Sequence, residues 1–375
     1  MSYKINDCKL ELDSNSICDN KKSRNLVFQD FDSIKVSTKT FIVMTNMILN
    51  IKKLFNFLPV TDYILVPKRR GRKKKNEPVD PNKDIPSGSI ITLEYQNMIK
   101  GVDLKKKKKK NKDTKKRESY FRNSVTIVMM MDNKKINYKV SRNGKFQMTG
   151  CKEDEQSEKC IRWFWDYIKD TKDIYKLSDN IEDDEKEKEN EKENEKENEK
   201  ENEKENEKED EKEDEKEDEK EDEKKKELKA IFIPAMRNID FSLNFFVDRE
   251  KLDKYFNIYT EYTSLLETSF GYTGVNIKIP IVKPITDLNL KQMRYVDNNW
   301  INNEYAPYNE YLKMLPKKDA IKKIKKQRYN TFLIFHSGKI IMSGMEASFM
   351  RDVYYEFLDI IRECHHIIEE RLETD

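Results

Sequence analysis

The sequence predicts an α+β fold made of two similar units, and two pairs of repeated motifs are the basis of this prediction. The motif G-K-x-x-x-S/T-G occurs at residues 144–150 and 338–344. Each copy follows an apolar, strand-like run and precedes an aromatic-rich helical pattern. The motif N-x-x-x-N/D-x-x-K-L occurs earlier in each half, at residues 46–54 and 244–252. Because both pairs keep the same order, the sequence indicates an internal duplication.

The first half begins with a polar stretch, residues 1–32, that we expect to form a loose tail. Residues 33–172 form the first predicted unit, with basic loop insertions at residues 68–75 and 105–117. Asn50 is a suitable cap for the helix that follows the first strands, and Asp248 is a suitable cap for the matching helix of the second half. The predicted strands span residues 33–49, 89–95, 124–131, 135–140 and 145–149, and the predicted helices span residues 50–57 and 155–167.

A low-complexity linker, residues 173–229, separates the two units. Its tetrapeptide array passes from Glu-Lys-Glu-Asn to Glu-Lys-Glu-Asp and offers no apolar side chain to a core, so it is either disordered or a lone helix. Residues 230–372 form the second unit, with an insertion at residues 281–329. Its predicted strands span residues 230–234, 239–246, 274–279, 331–335 and 339–342, and its helices span residues 248–255 and 348–370.

Charge is distributed unevenly along the chain. The chain has 74 Lys and Arg residues and 71 Asp and Glu residues, a net charge of +3. Residues 182–223 hold 27 acidic and 10 basic residues, which leaves 64 basic and 44 acidic residues elsewhere, a net charge of +20. Units this basic favour an anionic partner such as nucleic acid, and surface solubility is the alternative.

Several classes of protein are excluded by what the sequence lacks. The five cysteines form no C-x-x-C pair, and adjacent residues of Cys364-His365-His366 would point in different directions on a helix, so we expect no metal site. No signal-peptide core and no run of about 18 apolar residues occurs, which predicts a soluble, intracellular protein with no membrane partner. Nothing in the sequence supports catalysis or a cofactor, so we expect no enzyme.

The charged low-complexity segments have two interpretations each. The runs at residues 68–75 and 105–117 would add salt-sensitive affinity for phosphates, and a nuclear-import signal is an equal interpretation. Arg70-Gly71-Arg72 also resembles the core of a minor-groove hook peptide. The acidic linker is either an inert spacer or a DNA-mimicking strand that competes for the basic surface.

Two stretches of the second unit resemble the TATA-box-binding protein family. Residues 333–339, continued by Ser343-Gly344, are similar to the family's hairpin of an apolar run, Phe, Ser-x-Gly-Lys and Thr-Gly. Residues 272–279 resemble the strand that carries another wedge aromatic, whereas the first unit has Ser141 where the wedge Phe would stand. The resemblance implies two half-repeats joined in one curved antiparallel sheet, a saddle, with long helices on its convex face.

The resemblance also implies a set of DNA-binding residues. Asn46 and Asn244 would lie at the sheet centre and hydrogen-bond minor-groove acceptors, with a role at a strand end or turn as the alternative. Phe335 and Tyr272 would wedge between base steps, unless they are core aromatics. The remaining residues would line the face or contact phosphates: Thr149, Ser343, Gln147, Ile341, Lys145, Lys339 and Lys278.

The function that this resemblance implies is transcription initiation. The protein would bind and bend AT-rich double-stranded promoter DNA through the minor groove and recruit a B-type initiation factor or RNA polymerase subunits, with Trp163, Trp165, Tyr354 and Tyr355 as candidate contacts. The alternative is a degenerate saddle that acts only as a protein scaffold. The linker and lysine-rich loops resemble a product of a giant amoeba-infecting DNA virus, which implies the host nucleus, a cytoplasmic virus factory or the virion as its location.

Overall fold

The protein forms one large antiparallel sheet with helices packed against it, in agreement with the predicted α+β class. A computed structural model describes residues 26–66, 80–104, 123–178, 227–266 and 274–370. Within these residues, 13 strands form the main sheet and two short strands form a separate pair. The basic runs at residues 68–75 and 105–117, Tyr272 and nearly all of the acidic linker lie outside the described residues.

The first half follows the predicted order of a strand, a short helix, further strands and a long helix. Asn50 caps the first helix, since its side-chain oxygen accepts a hydrogen bond from the backbone N–H of Lys53 at 3.0 Å. The elements are β1 Val36–Thr45, β2 Met47–Leu49, α1 Ile51–Phe57, β3 Ile90–Tyr95, β4 Met98–Gly101, β5 Ser124–Met131, β6 Lys134–Ser141, β7 Lys145–Cys151, α2 Asp154–Ile168 and β8 Tyr175–Leu177.

The second half repeats this order and adds the insertion. Asp248 caps its first helix through hydrogen bonds from the backbone N–H groups of Glu250 and Lys251, both at 3.1 Å. The elements are β9 Leu228–Ser242, α3 Arg249–Tyr259, β10 Thr263–Leu266, β11 Gly274–Pro280, β12 Asn289–Val296, β13 Asn299–Pro307, α4 Tyr308–Lys313, α5 Lys317–Lys325, β14 Tyr329–Phe335, β15 Lys339–Gly344 and α6 Ala347–Ile368, with 3-10 turns at Phe31–Ser33 and Ile285–Asp287.

The strand order shows the doubled unit directly. The sheet runs β10-β11-β14-β15-β9-β1-β7-β6-β5-β3-β4, so the first strand of each half lies at the centre and the others follow outward in the same order. The register agrees as well: Val140 pairs with Phe146 in one half, and Ile334 pairs with Ile340 in the other. The internal duplication predicted from the motif pairs is therefore confirmed at the level of topology.

The glycine that opens each G-K motif has a structural explanation. Gly144 and Gly338 have φ values of 64° and 72°, in the left-handed region that side chains disfavour. A Cβ atom at Gly144 would collide with the carbonyl oxygen of Met47, and one at Gly338 would collide with that of Phe245. Each hairpin therefore packs its turn against the backbone that connects a central strand to its short helix.

Both long helices pack on the same side of the sheet. The first core joins α1 and α2 to strand residues such as Val43, Tyr138 and Phe146, and the second joins α3 and α6 to the matching strands. Phe332 of β14 stacks on Phe357 of α6 with ring centroids 4.1 Å apart. These two clusters are the principal cores, because large apolar side chains removed from water supply most of the folding free energy.

The insertion at residues 281–329 is more ordered than the sequence predicts. It contains the β12–β13 hairpin, and β12 extends the sheet by pairing with the first residues of β9, such as Ile231 opposite Gln292. Helices α4 and α5 follow the hairpin. Periodicity alone does not reveal this pairing, because it depends on a neighbour about 60 residues away in the chain.

The N-terminal stretch also gains structure where it is described. Phe31 packs on Tyr354 of α6 with ring centroids 5.5 Å apart, and the Tyr354 hydroxyl donates a hydrogen bond to the carbonyl oxygen of Gln29 at 2.5 Å. Arg351 forms an ion pair with Asp32. The last residues of the predicted tail therefore belong to the outer surface of α6.

Candidate nucleic-acid interface

The sheet has a second side, which we call the distal face, opposite the cores formed with α1, α2, α3 and α6. Side chains alternate along each strand, so the neighbours of buried core residues point to the distal face. On β7, Phe146 and Met148 are buried, whereas Gln147 and Thr149 are exposed. The distal face is therefore the surface that the sheet offers to a large partner.

Eight of the predicted DNA-binding residues lie on strands, at positions whose side chains point to the distal face. Gln147 lies opposite Ile42 and Thr149 opposite Thr40, and in the other half Ser343 lies opposite Asn238. The structure thus brings the two motif strands together around β1 and β9. The eight residues are Lys145, Gln147, Thr149, Lys278, Phe335, Lys339, Ile341 and Ser343.

Asn46 occupies a different place from the one the resemblance implies. It lies just beyond the end of β1, where its side-chain amide donates to the carbonyl oxygen of Glu227 at 2.8 Å and accepts from the backbone N–H of Lys229 at 2.8 Å. The backbone N–H of Ser178 donates to the carbonyl oxygen of Asn46 at 2.9 Å. The expected position of Asn46 at the sheet centre is therefore wrong, and its geometry is that of the strand-end alternative.

Asn244 is likewise displaced from the sheet centre. It follows β9, has a φ of 64° and is exposed, and its backbone N–H donates to the Ser242 hydroxyl at 3.2 Å. Asn tolerates this left-handed conformation better than most residues do. The expected central position of Asn244 is therefore also wrong, because Asn244 lies in the turn that follows β9.

The polar residues at the centre of the distal face are ones that the sequence analysis missed. Thr38 lies opposite Asn238, and Thr40 lies opposite both Met236 and Thr149. Among the described residues, no hydrogen-bond partner reaches the buried side-chain oxygen of Asn238. The alternation of threonines along β1 was the available signal, although no spacing rule distinguishes them from ordinary strand residues.

The two outer hairpins confirm one asymmetry that the sequence indicates. Phe335 pairs with Gly274 at the end of β14, and Ser141 pairs with Ser124 at the end of β6. Ser141 and Phe335 therefore hold matching positions, and only the second half has an aromatic side chain there. Tyr272, the other predicted wedge residue, lies outside the described residues.

Parts of the distal face are covered by the protein itself. Met44, Ile231 and Ile233 are buried beneath Tyr308 and Tyr311 of α4, in a small separate core. A second small core covers the outer strands of the first half, where Tyr63, Ile85 and Leu104 pack on Ile91, Val128 and Met130. The exposed part of the distal face is therefore narrower than two undecorated repeats would give.

On the central strands β7, β9 and β15, the charged residues of the distal face are lysines and one carboxylate, Asp240. Lys145 and Lys339 hold matching positions in the two motif strands. Asp240 lies opposite Ile341 and accepts a hydrogen bond from the Ser37 hydroxyl at 3.2 Å. The matching residue in the first half is Ile42, which lies opposite Gln147, so the carboxylate is a feature of the second half only.

A groove separates α5 from the distal face. Its volume is about 2,280 Å³, and its lining includes Lys145 of β7, Lys278 of β11 and Lys323 of α5. Partial burial lowers the pKa of Lys323 from its usual value, and the nearby charges of Lys145, Arg328 and Lys326 lower it further. Cations from three separate elements thus line this groove.

The aromatic residues of the long helices divide into two groups. Trp165 and Tyr354 are buried in the cores, which agrees with ordinary helix packing. Trp163 is 42% exposed and Tyr355 is 36% exposed, and the Tyr355 hydroxyl already donates a hydrogen bond to the Asp30 carboxylate at 2.6 Å. In the described part of the chain, none of the helices combines the length and apolar character that a membrane span requires.

Comparison with known proteins gives a distant structural similarity. No known sequence family matches the chain, and no curated protein matches it. Among solved structures, the chain is similar to Methanococcus jannaschii TBP, with 10% sequence identity, a TM-score of 0.37 and coverage of 88% of this chain and 98% of that chain. The function proposed below therefore rests on the strand order and the distal-face residues of this chain.

Proposed function

We propose that the protein is a transcription initiation factor that binds and bends AT-rich promoter DNA through its distal face. The observation that supports this most is the central strip of short polar side chains, Thr40, Thr149, Asn238 and Ser343, with Lys145 and Lys339 at matching positions beside it. The minor groove of A·T pairs offers only acceptor atoms to the protein, and hydroxyl and amide groups donate to them.

The remaining distal-face residues suit the same task. Ile341 and Leu333 lie opposite each other and give an apolar surface for the sugar edges of a widened minor groove. Phe335, at the end of β14, would insert between two base steps and kink the duplex. Lys339 and Lys278 are exposed and would contact phosphates, which makes binding sensitive to salt.

A curved sheet would complete this proposal. A saddle with α2 and α6 on its convex side would keep Trp163 and Tyr355 away from DNA bound to the distal face. Trp163 and Tyr355 would then contact a B-type initiation factor or polymerase subunits in the host nucleus or a virus factory. Thr149, Ser343, Gln147 and Ile341 would line the duplex, and Tyr272 would supply a second wedge.

A protein scaffold without specific DNA binding is the second candidate. Asp240 favours it, because a carboxylate on the distal face repels phosphates, and the cover that α4 gives to Met44 and Ile231 favours it too. Ser141 in place of an aromatic residue also removes one kink. These features predict weak and asymmetric bending in the first proposal and none in the second.

Binding and bending measured together would decide between the two. The full-length chain is titrated into end-labelled AT-rich and GC-rich duplexes at two salt concentrations, with fluorescence anisotropy for affinity and end-to-end energy transfer for bending. Tight binding with an AT preference and a rise in energy transfer would support the initiation factor. Binding with no base preference and no bend would contradict it and favour the scaffold.

A further inference from the structure

The groove between α5 and the distal face has a strongly positive lining. Ten Lys and Arg side chains line it, against two carboxylates, Glu310 and Asp319. One of these carboxylates is already used, since Glu310 forms an ion pair with Lys313 at 2.7 Å. The groove therefore carries a large excess of positive charge, which a polyanion would neutralise.

In the described part of the chain, three cations from separate elements line this space without forming an ion pair. Among the described residues, no carboxylate lies within ion-pair distance of Lys145, Lys278 or Lys323. These residues belong to β7, β11 and α5, three elements that are far apart in sequence. The charge of Lys145 acts against the protonated form of Lys323 across the groove, and a bound anion would offset that repulsion.

Helix stabilisation explains only part of this arrangement. Lysines in the last turn of α5 interact favourably with the negative end of the helix dipole. The Arg328 guanidinium also donates to the carbonyl oxygen of Lys323 at 2.7 Å and to that of Lys326 at 3.1 Å, which closes the helix end. These contacts fix α5 in place but give no reason for Lys145 and Lys278 to face it.

The groove is continuous with the polar strip of the distal face. Thr331 and Ser343 line the groove and also pair with each other across β14 and β15. Tyr329, which is 46% exposed, stands at the groove edge beside them. A duplex on the distal face would therefore bring one of its phosphate backbones to this groove.

We propose that the groove between α5 and the distal face binds one phosphate backbone of the DNA, with α5 as a positively charged clamp on one side of the duplex. This inference rests on the proposed function, because it places DNA on the distal face. The clamp belongs to the insertion of the second half, so it makes the contact with DNA asymmetric. The bases are contacted by the strip, and the groove supplies affinity that does not depend on sequence.

The test removes charge from the groove without removing bulk. The full-length variant Lys322→Gln, Lys323→Gln, Lys326→Gln is compared with a matched variant, Lys52→Gln, Lys172→Gln, Lys254→Gln, whose lysines are exposed and do not line the groove. In a plot of the logarithm of DNA affinity against the logarithm of salt concentration, the slope for the groove variant should be shallower by about 2 to 3. This is the change expected for three lost phosphate contacts. The matched variant should keep the wild-type slope, and the unfolding temperature of each variant checks its fold.

The outcomes separate the groove from the proposed function. A groove variant with the wild-type slope would overturn the clamp, even if AT preference and bending persist in the wild-type protein. A shallower slope in a protein that shows neither AT preference nor bending would support the clamp and contradict the proposed function. These two failures are therefore distinguishable in one titration series.

A crosslinking experiment identifies what occupies the groove. A photo-reactive residue is placed at Ile324, which lines the groove and is exposed, in the full-length chain mixed with labelled AT-rich duplex. Crosslinks to the DNA backbone would support the clamp. Crosslinks within the chain to residues 179–226 would overturn it, because the groove would then hold the protein's own acidic segment.

Discussion

Lys39 of β1 lies directly opposite Arg237 of β9, and these two residues hold the same position in the two halves. Each precedes the Asn of its own motif, Asn46 or Asn244, by seven residues. An approximate two-fold axis therefore passes between Lys39 and Arg237. Every difference between the halves can be located by reference to this axis, and the first two predictions use such differences.

The wedge position should control bending. Phe335→Ala should lower DNA affinity by about tenfold to a hundredfold, which corresponds to the free energy of burying a Phe side chain. It should also reduce end-to-end energy transfer. Ser141→Phe should raise energy transfer, because it places an aromatic side chain at the matching site of the first half. Tyr305→Ala is the control, since this 67% exposed aromatic lies on β13. Equal bending by all three variants would contradict the wedge assignment.

The central carboxylate should weaken DNA binding. Asp240→Asn keeps the shape of the side chain and removes its negative charge, so affinity should rise by roughly two- to fivefold at low salt, a gain of about 0.5 to 1 kcal/mol. The gain should shrink at high salt because screening reduces it. Asp359→Asn is the control, because Asp359 is exposed on α6, and it should leave DNA affinity unchanged. Fluorescence anisotropy at two salt concentrations measures both variants, and weaker binding by Asp240→Asn would count against DNA on the distal face.

Asn46 should act on stability and leave DNA recognition unchanged. Asn46→Ala removes two hydrogen bonds to the backbone at Glu227 and Lys229, which should lower the free energy of unfolding by about 1 to 3 kcal/mol. Its AT preference and DNA affinity below the unfolding transition should match the wild type. Thr40→Val, a nearly isosteric change, should show the reverse pattern. Denaturant titration and anisotropy separate the two effects, and loss of AT preference in Asn46→Ala would restore Asn46 as a contact residue.

The turn glycine of the second hairpin should contribute to the stability of the fold. Gly338→Ala should lower the free energy of unfolding by about 2 to 4 kcal/mol, since a Cβ atom there is strained by its positive φ and collides with the Phe245 carbonyl. Gly150→Ala is the matched control, because Gly150 also has a positive φ, 89°, but its nearest neighbour would be 3.9 Å away. Denaturant titration of both variants isolates the collision, and equal losses would show that φ alone matters.

The sequence was sufficient for the elements whose signals are local. The two hairpins, the caps Asn50 and Asp248 and the long helices follow from alternation, capping chemistry and helical period. The resemblance to a known family assigned Lys145 and Ser343 to one face, and strand alternation in the structure gives both residues that side of the sheet.

The rest depended on contacts between distant parts of the chain. The cover of Met44 and Ile231 by α4 requires the insertion to return over the sheet, and no local pattern encodes that path. Asn46 and Asn244 were displaced because the positions of strand ends depend on the β1–β9 register, which the motif spacing does not contain. Thr38 and Asn238 became central for the same reason.

Asn46 has a further consequence for how this chain tolerates change. It hydrogen-bonds to Ser178 on one side and to Glu227 and Lys229 on the other, so both ends of the repeated acidic tract meet at one residue. Because Ser178, Glu227 and Lys229 meet at Asn46, the described chain leaves the first half and enters the second at one point, so a change in the length of the tract need not move β1 or β9. A gain or loss of whole tetrapeptides is therefore expected to leave the fold of both halves unchanged.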